Sequence, residues 1–496
     1  MWRLHVGIDR RLAPSYRPEV CWTWRTLLAG IGFAWQEVEP ADPVCDVAYV
    51  IDPGATSAKL TVRTNETRWK DPSGARLASV GQTGSVSFPL FEGEAATPAF
   101  LRLGGRVVCD RDLIFDVFWL ATGQEERRYP KGEHGFFELD AEPVVSRGVL
   151  RRALASAIGQ ALETWLVELG VGKPEPRWPG GSRAAACFGH DVDYPEPVRV
   201  LEPLRILARQ GASGARNAWD VAVGRRHHWH FGSWMDLEEA AGCRSAFYFV
   251  ARRGSLVERA LGTPDPFYDI NQPRFRALFR EIQSRGAEIG LHASYRAFED
   301  VGRLSEEKRV LEEAAGAAVI GNRHHYWHLN PNNPEETLRF HERAGFAYDC
   351  SLFHDRYIGW RRGFTWPFFP FDQKERRSLA TLQLPTGWMD DQLFGLRRHN
   401  AGERTVILDE LVARVFEQQG CLVVNIHEYV FDSALFPGWV LAYRHVLDAL
   451  STRGDVWLAT PADIARHWRA RVRSAEEASI GLGDRPVAAA LTEVDR

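Results

Sequence analysis

Residues 184–193 decide the fold, and they read Ala-Ala-Ala-Cys-Phe-Gly-His-Asp-Val-Asp. A run of small and apolar residues without alternation is typical of a strand that is buried on both faces, as in a parallel sheet. Ionisable residues follow the run at once. Because the active sites of (β/α) barrels lie at the carboxyl ends of the strands, we expect Asp191 and Asp193 to lie in such a site.

The same arrangement recurs three times along the chain. Apolar runs lead directly into His292, into residues 323–326 (Arg-His-His-Tyr) and into His427. A single histidine beside an apolar run is usually a structural residue, but four strand ends together supply the carboxylates and imidazoles that Zn²⁺ and related metals bind in hydrolytic sites. They also leave an acid and a base for proton transfer.

The spacing of apolar runs from Ser182 onwards predicts an α/β fold with a parallel sheet or barrel, because short runs alternate with helical segments. The runs are residues 184–189, 245–250, 287–291, 318–321, 382–384, 421–426 and 456–459.

The chain is long enough for two domains, since a single core rarely serves 496 residues. Short β-like runs up to about residue 145, with helical patterns at 110–126 and 148–169, predict a smaller α+β domain over residues 1–171. Residues 172–181 are rich in proline and glycine and predict a linker. We expect the barrel over residues 182–473 and a disordered tail over residues 474–496.

Composition and charge limit the function. Hydrophobic residues make up 45% and charged residues 25%, with a net charge of -4, and the basic residues are scattered, which disfavours a nucleic-acid partner. No run approaches the ~18 apolar residues of a membrane span, and the start lacks a secretory signal. The seven cysteines are odd in number and never form a C-x-x-C pair. We therefore expect a cytoplasmic protein with reduced, buried thiols.

The residues at the strand ends resemble the motifs of the polysaccharide deacetylase superfamily, also called the NodB-homology family of carbohydrate esterases. The resemblance extends over residues 183–468. It implies a distorted (β/α)7-8 barrel of the polysaccharide deacetylase type. It also implies a divalent metal cofactor, with Zn²⁺ as the main candidate and Co²⁺, Mn²⁺ or Ni²⁺ as the others.

Three motifs imply roles by this resemblance. In the first motif, Asp191 matches the catalytic base and Asp193 a metal ligand, although a pair of turn-capping aspartates is the alternative. Arg323 matches the arginine that holds the base by a charge-assisted bond. His427 matches the histidine that acts as general acid.

The second motif is incomplete. His292 matches its first metal-binding histidine, but Arg296 stands where the second is expected. Arginine does not deprotonate in proteins and cannot bind a metal. We predict His325 as the third ligand, with contact to the substrate as its alternative role.

Further segments resemble a bacterial subgroup of these deacetylases that has an uncharacterised N-terminal domain. The comparison with the barrel of that subgroup implies a substrate cleft, and we expect Tyr326, Arg362, Trp366 and Asp390 to bind substrate there. Residues 116–127 resemble a helix of the N-terminal domain. We interpret Glu125 and Glu126 within it as a solvated helix end against the barrel, not as a catalytic pair.

The hypothesis that follows is a metal-dependent hydrolase that removes an N-acyl group, acetyl first of all, from an amino sugar of a glycan or glycan precursor. One alternative is a hydrolase of a small C-N substrate such as a ureide. Another is a glycan-binding pseudoenzyme, motivated by Arg296. The sequence leaves the sugar, the acyl group and the oligomeric state open.

Overall fold

A computed structural model describes residues 1–84, 86–94, 100–138, 148–197, 199, 201–395 and 399–479. Within these residues no helix combines the length and the apolar character needed to cross a membrane. All seven cysteines are unpaired, and six of them are buried.

The first 171 residues form eight strands and five described helices. The strands are β1 (Trp2–Ile8), β2 (Phe33–Val38), β3 (Val47–Val50), β4 (Leu60–Arg63), β5 (Leu77–Thr83), β6 (Val86–Phe91), β7 (Phe100–Leu103) and β8 (Arg106–Cys109). The helices are α1 (Arg17–Ile31), α2 (Glu66–Lys70), α3 (Leu113–Ala121), α4 (Val149–Arg152) and α5 (Leu154–Glu168).

The N-terminal sheet has the strand order β2-β1-β3-β4-β8-β7. Its pairs are parallel except for the edge pair β7-β8, and β5 and β6 form a separate antiparallel hairpin. The expected α+β arrangement is therefore corrected to a mainly parallel sheet. The physical reason is α1, which connects β1 to its parallel neighbour β2 and which the sequence pattern did not reveal.

The rest of the chain forms eleven strands and eleven described helices. The strands are β9 (Ala184–Val192), β10 (Ala246–Phe249), β11 (Glu288–Ala293), β12 (Gly321–His324), β13 (Tyr348–Asp349), β14 (Phe371–Asp372), β15 (Arg377–Ser378), β16 (Leu382–Gln383), β17 (Thr386–Met389), β18 (Cys421–His427) and β19 (Val456–Leu458). The helices are α6 (Leu201–Gln210), α7 (Ala215–Ala222), α8 (Phe231–Ala240), α9 (Leu256–Ala260), α10 (Pro273–Ser284), α11 (Val301–Ala315), α12 (Pro334–Arg343), α13 (Asp391–Phe394), α14 (Ala401–Glu417), α15 (Trp439–Ser451) and α16 (Pro461–Ser479).

The large sheet is parallel throughout, with the order β16-β13-β12-β11-β10-β9-β18-β17 and β19 added on β9. Only residues 384 and 385 separate the two edge strands, β16 and β17, so the edges of the sheet lie close together and the sheet has to curl. The result is the distorted α/β barrel that the alternating pattern predicts. All carboxyl ends of its strands meet at one edge, which we call the barrel mouth.

Local sequence explains the surrounding helices. α10 begins with a proline at its first turn, where the missing N–H costs nothing, and buries Phe275, Leu278, Phe279 and Ile282 on one face. That spacing of three and four residues is the amphipathic pattern of a helix that covers a sheet. The helix thus closes the outer side of the barrel beside β11.

The proline- and glycine-rich segment joins the two parts but is not a free tether. The buried Arg177 guanidinium donates to the backbone carbonyls of Gly30 and Gln418 and to Glu163. Trp178 is buried against Trp468. The segment predicted as a linker is therefore packed between the N-terminal helices and the barrel.

The C-terminal helix is longer than the pattern indicates. α16 runs to Ser479, because its last turn packs on the N-terminal sheet: the Ser479 hydroxyl accepts a hydrogen bond from the Trp35 amide at 3.0 Å, and Ala475 is buried. Residues 474–479 are thus helical, and residues 480–496 of the predicted tail lie outside the described residues.

Candidate active site

The alternation of side chains along β9 separates site residues from core residues. Asp191 and Asp193 face the barrel mouth, whereas His190 and Val192 face the outer helices. The His190 ring lies 2.8 Å from Glu238 of α8 through Nε2. Both aspartates are almost fully buried.

Three side chains from the carboxyl ends of β9, β11 and β12 converge at the barrel mouth. Asp193, His292 and His325 offer ligand atoms that all lie within 4.8 Å of one another. Nε2 of His292 is 3.3 Å from Oδ1 of Asp193, and Nε2 of His325 is 3.5 Å from Oδ2. The structure therefore brings together the three residues that we predicted as metal ligands.

The outer nitrogens of both imidazoles are held by acceptors. Nδ1 of His292 donates to the Arg323 carbonyl at 2.8 Å, and Nδ1 of His325 is 3.1 Å from Oδ1 of Asp265. An acceptor at Nδ1 leaves the lone pair of a neutral imidazole on Nε2, as in histidines that bind metals. Both Nε2 atoms point at Asp193.

Two buried atoms of the cluster are unsatisfied. Oδ1 of Asp193 and Nε2 of His325 have no hydrogen-bond partner among the described residues. Unpaired buried polar atoms are costly unless a ligand or ion completes them. One carboxylate oxygen and two imidazole nitrogens suit Zn²⁺ with an open position for water, so the residues fit a divalent metal.

Arg296 does not belong to the cluster. Its guanidinium contacts Glu299 at 3.1 Å, and more than half of its side chain is exposed. The second imidazole of the cluster is that of His325, which follows the strand next to that of His292.

Asp191 is held by two side chains, one from the adjacent strand β18 and one from β12, which lies three strands away in the sheet. Arg323 donates to its Oδ1 at 2.8 Å, and the Asn425 amide donates to its Oδ2 at 2.7 Å. Burial alone would raise the pKa of Asp191, but the charge of Arg323, with smaller contributions from His292 and His427, outweighs burial and holds the pKa below its usual value. Arg323 itself is fully buried, with its guanidinium 4.1 Å from the centre of the Tyr248 ring. The carboxylate is thus kept ionised and fixed in orientation.

His427 faces the same space from β18. Its Nε2 lies 3.6 Å from Oδ2 of Asp193, and its Nδ1 lies 2.8 Å from Oδ1 of Asp390. Burial lowers the pKa of His427, but Asp390 more than compensates and raises it well above the ordinary value. The ring is therefore kept protonated.

The position of Asp390 corrects its predicted role as a substrate contact. Oδ2 accepts from the backbone N–H of His427 and Oδ1 from its ring, both at 2.8 Å, and the side chain is fully buried. With both oxygens engaged, Asp390 orients His427.

Two other residues predicted for the cleft lie elsewhere. Arg362 is buried beside Glu126 and Glu335, at 3.4 and 3.9 Å. Trp366 is fully buried among the N-terminal helices, where its ring leaves no space for a side chain at Gly30 or Gly159. Both predictions are corrected. The loop of residues 361–368 turns toward α1 and α5, so these side chains join the N-terminal part to the barrel.

Tyr326 lies at the rim of the site. Its ring centre is 4.7 Å from that of His325, and it is about a third exposed. Tyr326 and Trp327 both have a positive φ, 56° and 53°, a conformation that non-glycine residues adopt at some cost. This turn directs Tyr326 outward immediately after His325.

The N-terminal part of the chain reaches this rim. The ring of His134 lies 4.4 Å from that of Tyr326, and its Nδ1 is 2.9 Å from the Tyr295 hydroxyl. Phe136 packs in a small cluster with Trp327, Phe353 and Met389. Residues 134–136 therefore form one wall of the mouth.

Sequence reasoning missed three residues of the site: Asp265, Asn425 and Glu428. Asn425 lies two residues before His427 on the same strand, so the period of two could have indicated it. Glu428 is buried and accepts the backbone N–H groups of Asp193 and Tyr194. Asp265 comes from a loop with no regular pattern, and nothing in the sequence placed it beside His325.

The pKa of Asp193 is set by burial and by its two imidazole neighbours. Burial raises the pKa of this carboxyl, yet His325 and His292 outweigh burial and hold the pKa well below its usual value. The carboxylate is therefore kept ionised beside the two rings.

The sequence matches no protein-family model and no curated protein. Solved structures are similar over 62% of the chain. A protein assigned as a polysaccharide deacetylase from Mycobacterium smegmatis is 20% identical, with 96% of its length covered and a TM-score of 0.37. Another from Pseudomonas aeruginosa PAO1 is 19% identical, with 97% covered and a TM-score of 0.38.

An allantoinase is similar to the same extent, at 18% identity, with 96% of its length covered and a TM-score of 0.39. At these identities and TM-scores the similarity carries no conclusion about the reaction.

Proposed function

We propose that the chain is a divalent-metal hydrolase that removes an N-acyl group from an amino sugar of a glycan or glycan precursor. Acetyl is the first candidate for this group. One observation carries the proposal. The cluster of Asp193, His292 and His325 lies between a carboxylate kept ionised, Asp191, and an imidazole kept protonated, His427. Metal-assisted hydrolysis of an amide uses all three kinds of group.

The metal would be held by Asp193 and by Nε2 of His292 and His325, and Zn²⁺ is the candidate that these donors favour. When bound, it supplies a Lewis acid that lowers the pKa of water and polarises a carbonyl. The outer contacts of the imidazoles, with Arg323 and Asp265, fix the rings for this purpose.

The two remaining groups move protons. Asp191 accepts the proton of the attacking water, since Arg323 and Asn425 hold it as a carboxylate facing the cluster. His427 donates the proton on Nε2 to the nitrogen of the leaving amine, and Asp390 stabilises its charged form beforehand. Water is consumed, the C–N bond breaks, and a carboxylic acid and an amine are formed.

Hydrolysis of a small ureide is the second candidate. The observation that favours it is the N-terminal wall: His134 reaches Tyr295 and Tyr326 at the mouth and narrows the approach to the site. A small substrate needs less open space than a glycan chain. The free thiols of the chain support a reducing, cytoplasmic location for either reaction.

The experiment compares metal-free protein with protein reloaded with Zn²⁺, Co²⁺, Mn²⁺ or Ni²⁺. We expect acetate release from N-acetylated amino sugars only after reloading. Asp191→Asn should keep the metal and the fold but reduce turnover by about 10²-fold or more, the usual loss for a general base. Activity confined to ureides would select the second candidate, and metal uptake without any hydrolysis would favour a binding protein.

A further inference from the structure

Exposed apolar side chains are concentrated in one stretch of the chain. Of the sixteen large hydrophobic residues that are exposed in the described parts of the chain, eight lie between residues 201 and 261. Single exposed hydrophobics are ordinary, but a contiguous group usually marks an interaction surface.

Five of the eight belong to the hairpin of helices α6 and α7. Leu201, Leu204 and Leu207 are spaced by three residues along α6, and Trp219 and Val223 by four residues along and just after α7. Such spacing places each set on one helix face. Both faces are exposed, and Trp219 retains 62% of its surface.

The hairpin is attached to the barrel mouth at both ends. α6 follows the loop after Asp193, and beyond α7 the ring of His228 lies 2.8 Å from the carbonyl oxygen of Tyr194 through Nδ1. Arg226 donates to Asp432, five residues after His427, at 2.7 Å. The exposed face therefore lies beside the candidate site.

The other three residues are Leu256 and Val257 of α9 and Leu261 just after it, and each is at least two-thirds exposed. α9 follows β10, which pairs with β9, so it belongs to the same rim. Nearby Arg252 lies 3.8 Å from Asp265, the residue that holds His325. The exposed apolar surface thus flanks the mouth through two separate elements.

The charge of this region differs from that of the chain as a whole. Residues 199–226 and 252–259 contain nine arginines and three acidic residues, whereas the whole chain has a net charge of -4. Leucine and tryptophan beside arginine are the composition of surfaces that bind anionic lipid headgroups while their apolar side chains enter the interface.

We propose that α6, α7 and α9 dock the barrel mouth on an anionic membrane surface, where the site would meet an amino sugar carried on a lipid. The docking stands on the exposed face and its charge, and the substrate class rests on the proposed function. Charge favours this occupant over a second copy of the chain, because two arginine-rich faces would repel each other.

The test is sedimentation of the full chain with vesicles of phosphatidylcholine alone or mixed with phosphatidylglycerol. We expect binding to the mixed vesicles that weakens as salt is raised. The patch variant combines Leu204→Ser, Trp219→Ser and Leu261→Ser and should bind about tenfold more weakly, since three apolar anchors are lost. The matched control combines Leu103→Ser, Val44→Ser and Val167→Ser, at exposed sites in the N-terminal part of the chain, and should bind like the wild type.

Four results would overturn the docking: no binding to mixed vesicles, equal binding to both kinds, an equal loss in the control, or self-association that only the patch variant abolishes. Thermal unfolding of each variant separates a local effect from misfolding. Binding is measured without metal or substrate, so a failure of the proposed hydrolysis leaves this result intact, and the reverse also holds.

Discussion

His325 is the residue that distinguishes the proposed ligand set most sharply from the motif it resembles, because in that set it takes the place of an imidazole that Arg296 cannot supply. His325→Ala should lower the affinity for Zn²⁺ by more than the ~10–100-fold typical of losing an outer contact of a metal ligand. Equilibrium dialysis with metal analysis measures the change. His328→Ala is the matched control, since His328 lies three residues on but contacts the Tyr295 carbonyl instead. Unchanged metal affinity in His325→Ala would remove it from the ligand set.

Glu307 links stability to pH. It is buried, accepts the backbone N–H of Ser294 at 2.8 Å, and burial raises its pKa to about 7. A carboxyl whose folded pKa exceeds its unfolded value favours the folded state fully below pH ~4.5, and this contribution disappears as the pH rises through about 7. Glu307→Gln should therefore be nearly neutral at pH 5 and stabilising by up to about 3 kcal/mol at pH 8.5.

Thermal unfolding at the two pH values measures this effect. Glu299→Gln, at an exposed position near the same strand end, is the control and should show little difference between them. If the difference in stability between Glu307→Gln and the wild type were the same at both pH values, the assigned titration of Glu307 would be wrong.

At the scale of single residues, the sequence predicts those side chains whose direction follows from the two-residue period of a strand. The alternation along β9 places Asp191 and Asp193 together and His190 apart. The sequence does not predict the positions of Arg362 and Trp366, because packing against the N-terminal helices sets the direction of these side chains. Asp265 was not predicted for the same reason, because tertiary structure brings its loop to His325.

Among the elements, the N-terminal wall of residues 134–136 has the most direct consequence for the site. Gly135 has a φ of 74°, and a Cβ there would lie 2.9 Å from Pro331, so the chain approaches the barrel closely at this turn. The turn presents His134 to Tyr326 at the rim.

His134→Ala should raise KM for the amino-sugar substrate about three- to tenfold with little change in kcat, because a stacked ring at the rim contributes binding and not proton transfer. Steady-state kinetics on the metal-loaded protein measure both constants. His445→Ala, at a surface histidine paired with Asp409, should leave them unchanged. A loss confined to kcat would show that His134 does not form a binding wall.

The sequence predicts the strands that have long buried runs. It does not predict strands of two residues or a helix that lacks a polar face. β9, β10, β11, β18 and β19 lie where the apolar runs predict them. β13 and β16 have two residues each, too few for any period, and only β16 lay within a predicted run. α1 is buried on most of its circumference, so it lacks the polar face that reveals an amphipathic helix.

At the scale of the whole molecule, the two parts share one core. Buried residues of α1, α3 and α5 belong to the same hydrophobic cluster as Phe364, Trp366 and the barrel strands. The sequence predicts two parts but not this continuity. We expect the parts to unfold together, since separating them would expose this shared cluster to water.

The contact between the parts also contains a buried ion pair. Glu126 of the N-terminal part accepts two hydrogen bonds from Arg361, at 2.8 and 3.1 Å, and lies 3.4 Å from Arg362. Burial raises the pKa of Glu126, but the two arginines outweigh it and keep the carboxylate ionised. The predicted contact of this helix end with the barrel is present, although Glu126 is buried and not solvated.

Glu126→Ala should destabilise the protein by about 3–5 kcal/mol, because it leaves two buried guanidinium groups without their main counter-charge. Glu410→Ala is the matched control: it removes an exposed ion pair of 2.8 Å with Arg151 between the same two parts, and such pairs contribute at most about 1 kcal/mol. Urea unfolding gives both values.

Because the parts share a core, the loss of stability in Glu126→Ala should shift a single unfolding transition to lower urea concentration. Equal midpoints for the two variants would mean that the buried pair does not hold the N-terminal part on the barrel, and two separate transitions would mean that the core is not shared.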